Sequence, residues 1–366
     1  MKKILILNYE FPPLGGGAGN ATYYLLKEFS KDPEININLI TSSVDEFRVE
    51  KFSENITIHF LDIGKKGNLH YQSNLNLLVY AWKAYWYSKK LIKKEKFNLC
   101  HAFFGIPCGY VAMKLGLPYM VSLRGSDVPF YNKRFYYLDK LIFKKLSIKI
   151  WRKAKKVIAN SKKLKELALS SALKQQIEVI ANGIDVNEFK PLSYKKIEFP
   201  IKLISTGRLI ERKGYKYLIE AISNMKEVEL ALVGNGNIRS ELENLSKEKN
   251  SNVIFLGSRG HNEIVNLLQK ADIFILPSLN EGMSNSILEA MACGLPIITT
   301  DTGGSEELIK GNGCIIPKAS SSELKKVIWG YINDVNSIHT QSLISRELAL
   351  DMSWKNVAEL YKKYYE

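Results

Sequence analysis

Short apolar runs of the β type alternate with segments of helical periodicity along most of the chain. In the first half the runs are KKILILN, NINLIT, NITIHFL, FNLCHAF, LPYMVSL, KVIAN and QIEVIAN; in the second half they are IKLISTG, VELALVG, NVIFLG, ADIFILPS, LPIITT and GCIIP. Strands that alternate with helices are typical of parallel sheets covered by helices. The pattern therefore predicts an α/β fold of doubly wound, Rossmann-like sheets.

The alternation breaks after Asn182, where NGIDVNEFKPLSYKKIEFP has two prolines and little periodicity. A chain of 366 residues also exceeds what one hydrophobic core usually serves. We therefore predict a first domain over 1–183, a linker over 184–199, a second domain over 200–350, and a last helix over 351–366 that is a candidate to cross back to the first domain. Ligands of such sheets lie at the carboxyl ends of the strands, so a cleft between the domains is the expected site.

The composition indicates an ordinary soluble globular protein, with 46% hydrophobic and 24% charged residues. No apolar run approaches the roughly 18 residues of a spanning helix. The amino terminus, MKKILILNYEFPPL, predicts a buried strand rather than a signal peptide, because ILIL is short and Asn8 and Glu10 interrupt it. The cysteines show neither Cys-x-x-Cys spacing nor a disulfide framework, so a reducing cytoplasm is expected; they are Cys100, Cys108, Cys293 and Cys314.

The net charge of +15 lies entirely in the first half of the chain. Residues 1–190 contain 31 Lys and Arg against 16 Asp and Glu, whereas residues 191–366 contain 21 of each. Two segments, Trp82–Lys96 and Lys133–Lys156, combine lysines with aromatic or aliphatic residues, as helices at an anionic membrane surface do. The alternative is that their apolar stripes face the core and the lysines are a solvated face. No nucleic-acid-binding motif is present, so nucleic acid is not an expected partner.

A glycine-rich loop follows the first predicted strand, in NYEFPPLGGGAGN. Such glycines let a ligand approach the backbone, and the helix that follows offers free N–H groups to an anion. The loop lacks Gly at position 20 and the Gly-Lys-Ser/Thr ending, so it matches neither the dinucleotide fingerprint nor the P-loop. A tight strand-to-helix turn is the alternative interpretation. The glycines are Gly15, Gly16, Gly17 and Gly19.

In the second half, basic residues and glycines follow successive strands. Arg208 and Lys213, in STGRLIERKG, come after the first of these strands, where two cations can neutralise a diphosphate. Gly234 after the second strand permits close approach, and Gly257 and Arg259 after the third can border a nucleobase. A solvated loop is the alternative for the cations.

The stretch SLNEGMSNSILEAMACGLP places Glu281 in a turn and Glu289 inside a short predicted helix. If the helix starts near position 284, the N–H groups of residues 283–285 form an anion site, to which the helix dipole contributes. Glu289 then lies about 7 Å along the axis, roughly a ribose away, while Glu281 can accept hydroxyls of a sugar. The alternative is an acid favoured by the dipole at a helix start, plus one paired acid.

With these motifs the sequence resembles a GT-B-fold glycosyltransferase of family 4, a retaining, nucleotide-sugar-dependent group. The resemblance covers nearly the whole chain and is carried most specifically by GRLIERKG and EGMSNSILEAMACGLP, with HAFFGIPCGYVA, SLRGSDV, NGID and ADIFILPS in support. It implies a catalytic set of Arg208, Lys213 and Glu281. It also implies a donor-binding set of Gly16, Gly17, Gly234, Gly257, Gly282, Met283, Ser284, Asn285 and Glu289.

Three residues of the first half carry less definite expectations. Many relatives have His where this chain has Arg124, which can supply a permanent cation but cannot shuttle a proton. His101 matches a family position, as a substrate contact or as a structural histidine. Asp127 can bind an acceptor hydroxyl or cap a helix.

The expected function is transfer of a hexose-type unit, with retention, from a UDP- or GDP-sugar to a glycan or lipid-linked acceptor. Such a reaction serves synthesis of cell-surface polysaccharide, lipopolysaccharide or glycolipid, at the cytoplasmic face of the membrane. No Asp-x-Asp pair occurs, so no metal ion and no cofactor beyond the nucleotide-sugar co-substrate is expected. Two rivals remain open: a GT-B-fold sugar-nucleotide epimerase and a noncatalytic membrane-associated assembly protein.

Overall fold

The computed structural model describes residues 1–65, 72–131, 136–192, 196–281, 283–302 and 304–365. The chain divides into two compact units. One unit comprises Met1–Asn182 together with Trp354–Glu366, and the other comprises Gly183–Ser353.

The first unit contains an eight-stranded sheet, in the order β3-β4-β2-β1-β5-β6-β7-β8. Its neighbouring strands run parallel except for β3, which pairs antiparallel with β4 at the edge. The hydrophobic pattern does not predict β3. The strands are β1 Lys2–Leu7, β2 Ile35–Ser43, β3 Arg48–Ser53, β4 Ile56–Asp62, β5 Leu99–Phe103, β6 Tyr119–Leu123, β7 Lys156–Ala159 and β8 Glu178–Val179.

Helices connect these strands. They are α1 Gly17–Phe29, α2 Asn74–Lys94, α3 Tyr110–Leu115, α4 Tyr136–Leu138, α5 Lys144–Lys153 and α6 Lys162–Ser171. A π-helical turn, Asp139–Phe143, joins α4 to α5. The N-terminus of α2 is closed by a capping box, in which the Ser73 hydroxyl accepts from the Asn76 N–H and the Asn76 side chain accepts from the Ser73 N–H.

The second unit contains a six-stranded parallel sheet, in the order β11-β10-β9-β12-β13-β14. Its strands are β9 Ile201–Thr206, β10 Val228–Val233, β11 Val253–Gly257, β12 Ile273–Leu276, β13 Ile297–Thr300 and β14 Gly313–Ile316. Its helices are α7 Tyr215–Ala221, α8 Arg239–Glu248, α9 His261–Lys270, α10 Asn285–Ala292, α11 Ser305–Leu308, α12 Ser321–Asn333 and α13 Val335–Asp351. The prediction of two doubly wound α/β sheets is confirmed.

The last helix, α14 Trp354–Tyr365, belongs to the first unit. Trp354 stacks on Tyr24 of α1, with ring centroids 5.7 Å apart and planes at 5°. Lys362 pairs with Asp32 at 2.6 Å. Because the apolar face of α14 is buried in this unit, the helix is part of its core rather than a tail.

The segment predicted as a linker begins as an integral part of the second unit. Phe189 is buried, and Ile184 forms a β-bridge with Ser353. The Arg346 guanidinium of α13 donates to the carbonyls of Val186 and Phe189 at 3.0 and 2.8 Å. These bonds hold the first residues of the predicted linker against α13, so the second unit already includes the chain from position 184.

All four cysteines are free thiols. Among the helices of the described residues, none combines the length and the apolar character that crossing a bilayer requires.

Candidate active site

Three loops of the second unit meet at the carboxyl edge of its sheet. β9 lies between β10 and β12, and all three strands run parallel. The loops that follow them carry Gly207 and Arg208, Gly234, and Ser278 to Glu281, respectively. Since parallel strands end at the same edge, side chains far apart in sequence become neighbours there.

The Lys213 ammonium forms an ion pair with the Glu281 carboxylate at this edge. Lys213 lies in a short 3₁₀ turn, Glu211–Lys213, and is only 8% exposed. The Ser278 hydroxyl lies 3.5 Å from the same carboxylate oxygen. An ion pair removed from water in this way seldom stabilises a fold more than apolar side chains would, so its presence favours a functional role.

Glycines keep the backbone around the pair closely packed. Gly234 has φ of +141°, and a Cβ there would lie 1.9 Å from the Gly207 carbonyl oxygen. Gly214, directly after Lys213, has φ of +68°, and a Cβ there would meet the Pro277 carbonyl oxygen at 2.1 Å. Packing between neighbouring loops therefore already requires glycine at position 234, independently of any ligand.

Arg208 is exposed, and no hydrogen bond or ion pair engages its side chain within the described ranges. Among the described residues, the structure therefore joins Lys213 to Glu281, whereas Arg208 forms no hydrogen bond or ion pair with either. An unpaired guanidinium on a loop beside a basic site remains available to an anion.

Helix α10 begins at Asn285, close to the predicted start, with Ser284 at its N-cap. The Ser284 hydroxyl bonds the Ser286 hydroxyl at 2.9 Å and does not cap a backbone N–H. Met283 and Ser284 are buried. The Ser284 side chain therefore does not occupy the backbone N–H groups at this helix start, which is the kind of position that accepts an anion. Gly282, also predicted to bind the donor, lies outside the described residues.

Glu289 is half-buried on α10, and its carboxylate has no hydrogen bond or ion pair with any described residue. Burial, and secondarily the charge of Glu188, raises the pKa of its carboxyl to about 7. Glu188 itself pairs with His261 at 2.8 Å. A carboxyl group held without a protein partner is suited to accept hydroxyls of a ligand, as predicted for a ribose.

The end of β11 and the loop that follows it carry Gly257 and Arg259, which the sequence predicts to border a nucleobase. Arg259 is exposed and pairs with Glu263 of α9 at 3.1 Å. Gly257 has φ of +70°, and a Cβ there would lie 3.3 Å from the Arg239 guanidinium. Arg239, which the sequence analysis does not single out, therefore lies beside Gly257, and its guanidinium also pairs with Glu243 at 2.7 Å.

In the first unit, the glycine-rich loop folds around an acid. Gly15 has φ of +90° and packs on the Glu10 side chain, and the Gly16 N–H donates to the Glu10 carboxylate at 3.3 Å. Gly16 and Gly17 are exposed at the start of α1, where a Cβ at Gly16 would meet nothing within 4 Å. The helix start is therefore open to a ligand, and Glu10 joins the residues that sequence reasoning missed.

His101 is fully buried between the sheet and α14. One ring nitrogen bonds the Tyr365 hydroxyl and the other bonds the Ser122 hydroxyl, each at 2.8 Å. Burial, and secondarily the charge of Arg124, lowers the pKa of the imidazole well below its ordinary value. With both nitrogens engaged inside the unit, the placement favours the structural alternative over substrate contact.

Arg124 and Asp127 organise the loop after β6. The Asp127 carboxylate accepts from the backbone N–H groups of Gly105, Arg124 and Gly125 at 2.7, 2.9 and 3.0 Å. Burial raises the pKa of that carboxyl, and these backbone hydrogen bonds act in the opposite direction. The Arg124 guanidinium donates to Asn182 at 2.8 Å and lies over the Phe103 ring. Both side chains thus have structural partners already.

Two family profiles together match most of the chain. Residues 15–188 match the family described as Glycosyltransferase Family 4, and residues 200–334 match Glycosyl transferases group 1. The chain belongs to the GT-B glycosyltransferases of the family 4 type.

This glycosyltransferase is 26% identical to an uncharacterized glycosyltransferase of Methanocaldococcus jannaschii, over 100% of this chain and 98% of the relative. It is also 29% identical to the Escherichia coli enzyme named UDP-Gal:alpha-D-GlcNAc-diphosphoundecaprenol alpha-1,3-galactosyltransferase, over 73% of this chain and 71% of that protein.

Solved structures share the fold of this glycosyltransferase. Sucrose-phosphate synthase from Thermosynechococcus elongatus superposes with a TM-score of 0.83 at 20% identity, over 100% of this chain and 98% of the other. Anabaena HepE in complex with UDP-glucose gives a TM-score of 0.73 at 20% identity, over 100% and 99%. In the described part of the glycosyltransferase, no three His, Cys, Asp or Glu side chains are grouped as metal ligands would be.

Proposed function

We propose that this glycosyltransferase moves a hexose-type sugar, with retention, from a UDP- or GDP-sugar to a glycan or lipid-linked acceptor in polysaccharide or glycolipid synthesis. The observation that carries the proposal is the Lys213–Glu281 ion pair at the carboxyl edge of the second sheet. The names of relatives support the substrate classes, because the Escherichia coli galactosyltransferase is named for UDP-galactose and a diphosphoundecaprenol-linked sugar.

The proposed chemistry assigns charge neutralisation to protein groups. As the bond from the sugar to the diphosphate breaks, negative charge accumulates on the departing phosphate oxygens. Lys213 and Arg208 offer two cations for that charge, and the start of α10 offers backbone N–H groups and the positive end of the helix dipole. This set does the work that a bound metal ion does in other transferases, so we propose turnover without one.

The remaining roles concern the sugar and ribose. Glu281 holds Lys213 in place in the free protein and accepts hydroxyls of the donor sugar when the donor is bound. Glu289, which has no partner in the described chain, accepts the ribose hydroxyls. Retention then follows the same-face route, in which the leaving phosphate oxygen takes the proton of the attacking acceptor hydroxyl.

The membrane part of the proposal rests on the helical run from Tyr136 to Lys153. This run contains six Lys or Arg against one acid, Asp139, which is buried and accepts from the Phe130 N–H. Tyr137, Leu141 and Ile142 are 79%, 68% and 56% exposed. Exposed apolar side chains among uncompensated cations fit an anionic bilayer surface. The predicted residues at 133–135 lie outside the described part.

The test is turnover by Lys213→Ala and Arg208→Ala variants. The donor is first found by thermal shift against a panel of UDP- and GDP-sugars, and the product anomer is then read by NMR. Each variant should lose at least about 100-fold in kcat, the scale of losing one donor to a transition-state oxyanion. Lys216→Ala removes an exposed lysine of α7 and should retain activity. Normal turnover by Lys213→Ala would remove this residue from phosphate stabilisation, and epimer formation from donor alone would favour the epimerase rival.

A further inference from the structure

A pocket of about 300 Å³ opens in the first unit between α2 and the carboxyl end of β4. Three of its walls are aromatic side chains that are largely open to solvent: Phe47 is 50%, Trp82 64% and Trp86 51% exposed. Large aromatic side chains normally bury most of their surface, so three exposed rings around one pocket need an explanation that the fold does not supply.

The polar groups of the pocket are two lysines and one acid. The Lys83 ammonium donates to the Asp62 carbonyl at 2.6 Å and lies 3.7 Å from the Asp62 carboxylate, which also accepts from the Gly64 N–H at 2.8 Å. Lys90 has no hydrogen-bonding or ion-pair partner in the described residues. With Asp62 balanced by Lys83, the pocket keeps one uncompensated positive charge.

This combination matches the chemistry of an acidic sugar. A pyranose ring has C–H faces that stack on aromatic rings and equatorial hydroxyls that bond carboxylates and ammonium groups. A hydrocarbon chain would form no hydrogen bonds with Asp62 or Lys83, and a neutral sugar would form no ion pair with Lys90. The volume lies at the lower end for ligand pockets, about 300–1,000 Å³, so the site suits a single sugar residue.

The pocket also lies on the edge of the sheet where ligands of this fold class bind. β4 and β1 run parallel with β2 between them, and Leu7 at the end of β1 is level with His59, three residues before the end of β4. Two strand spacings across and three residues along therefore separate the two carboxyl ends by about 14 Å. The glycine-rich loop, with Gly16 and Gly17, follows β1. A glycan lying along this edge can place one residue in the pocket and another beside the loop.

We propose that the pocket formed by Phe47, Trp82, Trp86, Asp62, Lys83 and Lys90 binds an acidic hexopyranose, a uronate or a sugar phosphate, of the acceptor. This inference rests on the proposed function only in calling the ligand an acceptor. The pocket selects acceptors by a sugar residue near the one that is extended.

The experiment measures binding of three probes to the full chain by saturation-transfer NMR and calorimetry. Methyl glucuronoside and glucose 1-phosphate are the carboxylate and phosphate arms, and methyl glucoside is the neutral arm. At least one anionic probe should bind at least about tenfold more tightly than the neutral one. Trp86→Ala and Trp82→Ala should each weaken it about tenfold, as loss of a stacked aromatic wall does, and Lys90→Ser about fivefold.

Matched controls separate the pocket from its surroundings. Trp329→Ala removes another exposed tryptophan, in α12, and Lys94→Ser removes an exposed lysine of α2 that does not line the pocket. Both should bind the probe as the wild type does. Equal binding of the neutral probe would overturn the acidic preference, and binding that survives loss of both pocket tryptophans would overturn the site.

Two further outcomes are decisive. One outcome is that the protein binds phosphatidylglycerol vesicles but no sugar probe, and that Trp82→Ala and Trp86→Ala lose the vesicle binding. In that case the rings are a membrane anchor and the proposal is wrong. Thermal shift with nucleotide sugars separates this proposal from the proposed function. If a nucleotide sugar stabilises the protein but no sugar probe binds, only the pocket proposal is overturned. If a sugar probe binds but no nucleotide sugar stabilises the protein, the pocket proposal is upheld and the transferase proposal is overturned.

Discussion

Replacing Glu289 by Gln should stabilise the protein at alkaline pH while weakening donor binding. The Glu289 carboxyl is half-buried, has no partner in the described chain, and has its pKa raised to about 7, first by burial and then by the charge of Glu188. In the unfolded chain the same carboxyl ionises near its ordinary value of 4.5. The folded protein therefore tolerates a charge that it would be more stable without.

The sign and size follow from these two values. Between pH 4.5 and about 7 the folded state still holds a proton that the unfolded state has lost, so stability falls as the pH rises. Above about pH 7 both states are ionised and the penalty is constant. The interval of about 2.5 pH units, at about 1.4 kcal/mol for each unit, gives a ceiling of about 3.5 kcal/mol, and solvent reaching the half-buried group lowers the expected effect to about 3 kcal/mol or less.

Urea unfolding at pH 4, 7 and 9 checks this expectation. Wild type and Glu289→Gln should coincide at pH 4, and the variant should be more stable by up to about 3 kcal/mol at pH 9. Glu241→Gln, at an exposed acid of α8, is the control and should show no such divergence. A Glu289→Gln variant that is no more stable than wild type at pH 9 would show that the carboxylate is stabilised by a partner, and would refute the reasoning.

The same variant also tests function. If the carboxylate accepts ribose hydroxyls, its loss should weaken donor affinity by about tenfold or more, since hydrogen bonds to a charged group contribute about 1.5–3 kcal/mol. A variant that is more stable yet binds donor less well indicates a residue kept for the ligand.

Two other predictions concern the first unit. His101→Ala should destabilise the protein by about 2–4 kcal/mol, because it leaves a cavity, unpairs the buried Tyr365 hydroxyl and leaves Ser122 with Tyr361 as its hydroxyl partner, yet donor affinity should not change. Urea unfolding and thermal shift with donor measure the two effects, with His339→Ala at an exposed histidine as control, and a selective loss of turnover would instead place His101 at the substrate. The wild type should co-sediment with anionic vesicles, and this binding should weaken as the salt concentration rises. Leu141→Ser should weaken the binding further, whereas Leu343→Ser, at a similarly exposed leucine of the second unit, should not. Binding that depends on neither salt nor anionic lipid would contradict the electrostatic part of the proposal.

The strands and helices could be predicted where burial imposes a pattern. Every strand of the second unit coincides with a predicted apolar run, because strands covered on both faces are almost continuously apolar. The pattern does not predict strand β3, RVEKFS, because it is an antiparallel edge strand in which no residue is fully buried, so burial imposes no apolar pattern on its sequence.

The site could be predicted only in part, for a physical reason. Loops after parallel strands meet at one edge, which is why Lys213 and Glu281 could be placed near each other from 68 positions apart. Glu188 and Arg239 acquire their places through tertiary contacts, with His261 and Gly257, that no local spacing encodes. The Glu10 carboxylate accepts from the Gly16 N–H, only six residues along the chain, but the loop conformation that brings them together is not encoded in a hydrophobic pattern. The His101 network was equally hidden, because its partner Tyr365 lies 264 residues away on α14.

The ion pair between Lys213 and Glu281 connects the architecture to the proposed chemistry. Sequence reasoning gave the two residues separate ligands, a diphosphate and a sugar, whereas the structure shows them satisfying each other. In the free protein each of the two charges neutralises the other. Both side chains are largely shielded from water, and an unpaired charge in such a place would be destabilising. In the proposed reaction, a nucleotide sugar would bring an anion for Lys213 and hydroxyls for Glu281, so both charges could exchange partners without moving far. Such a site needs little reorganisation when charge develops on the leaving group, which is the condition under which electrostatic stabilisation is most effective.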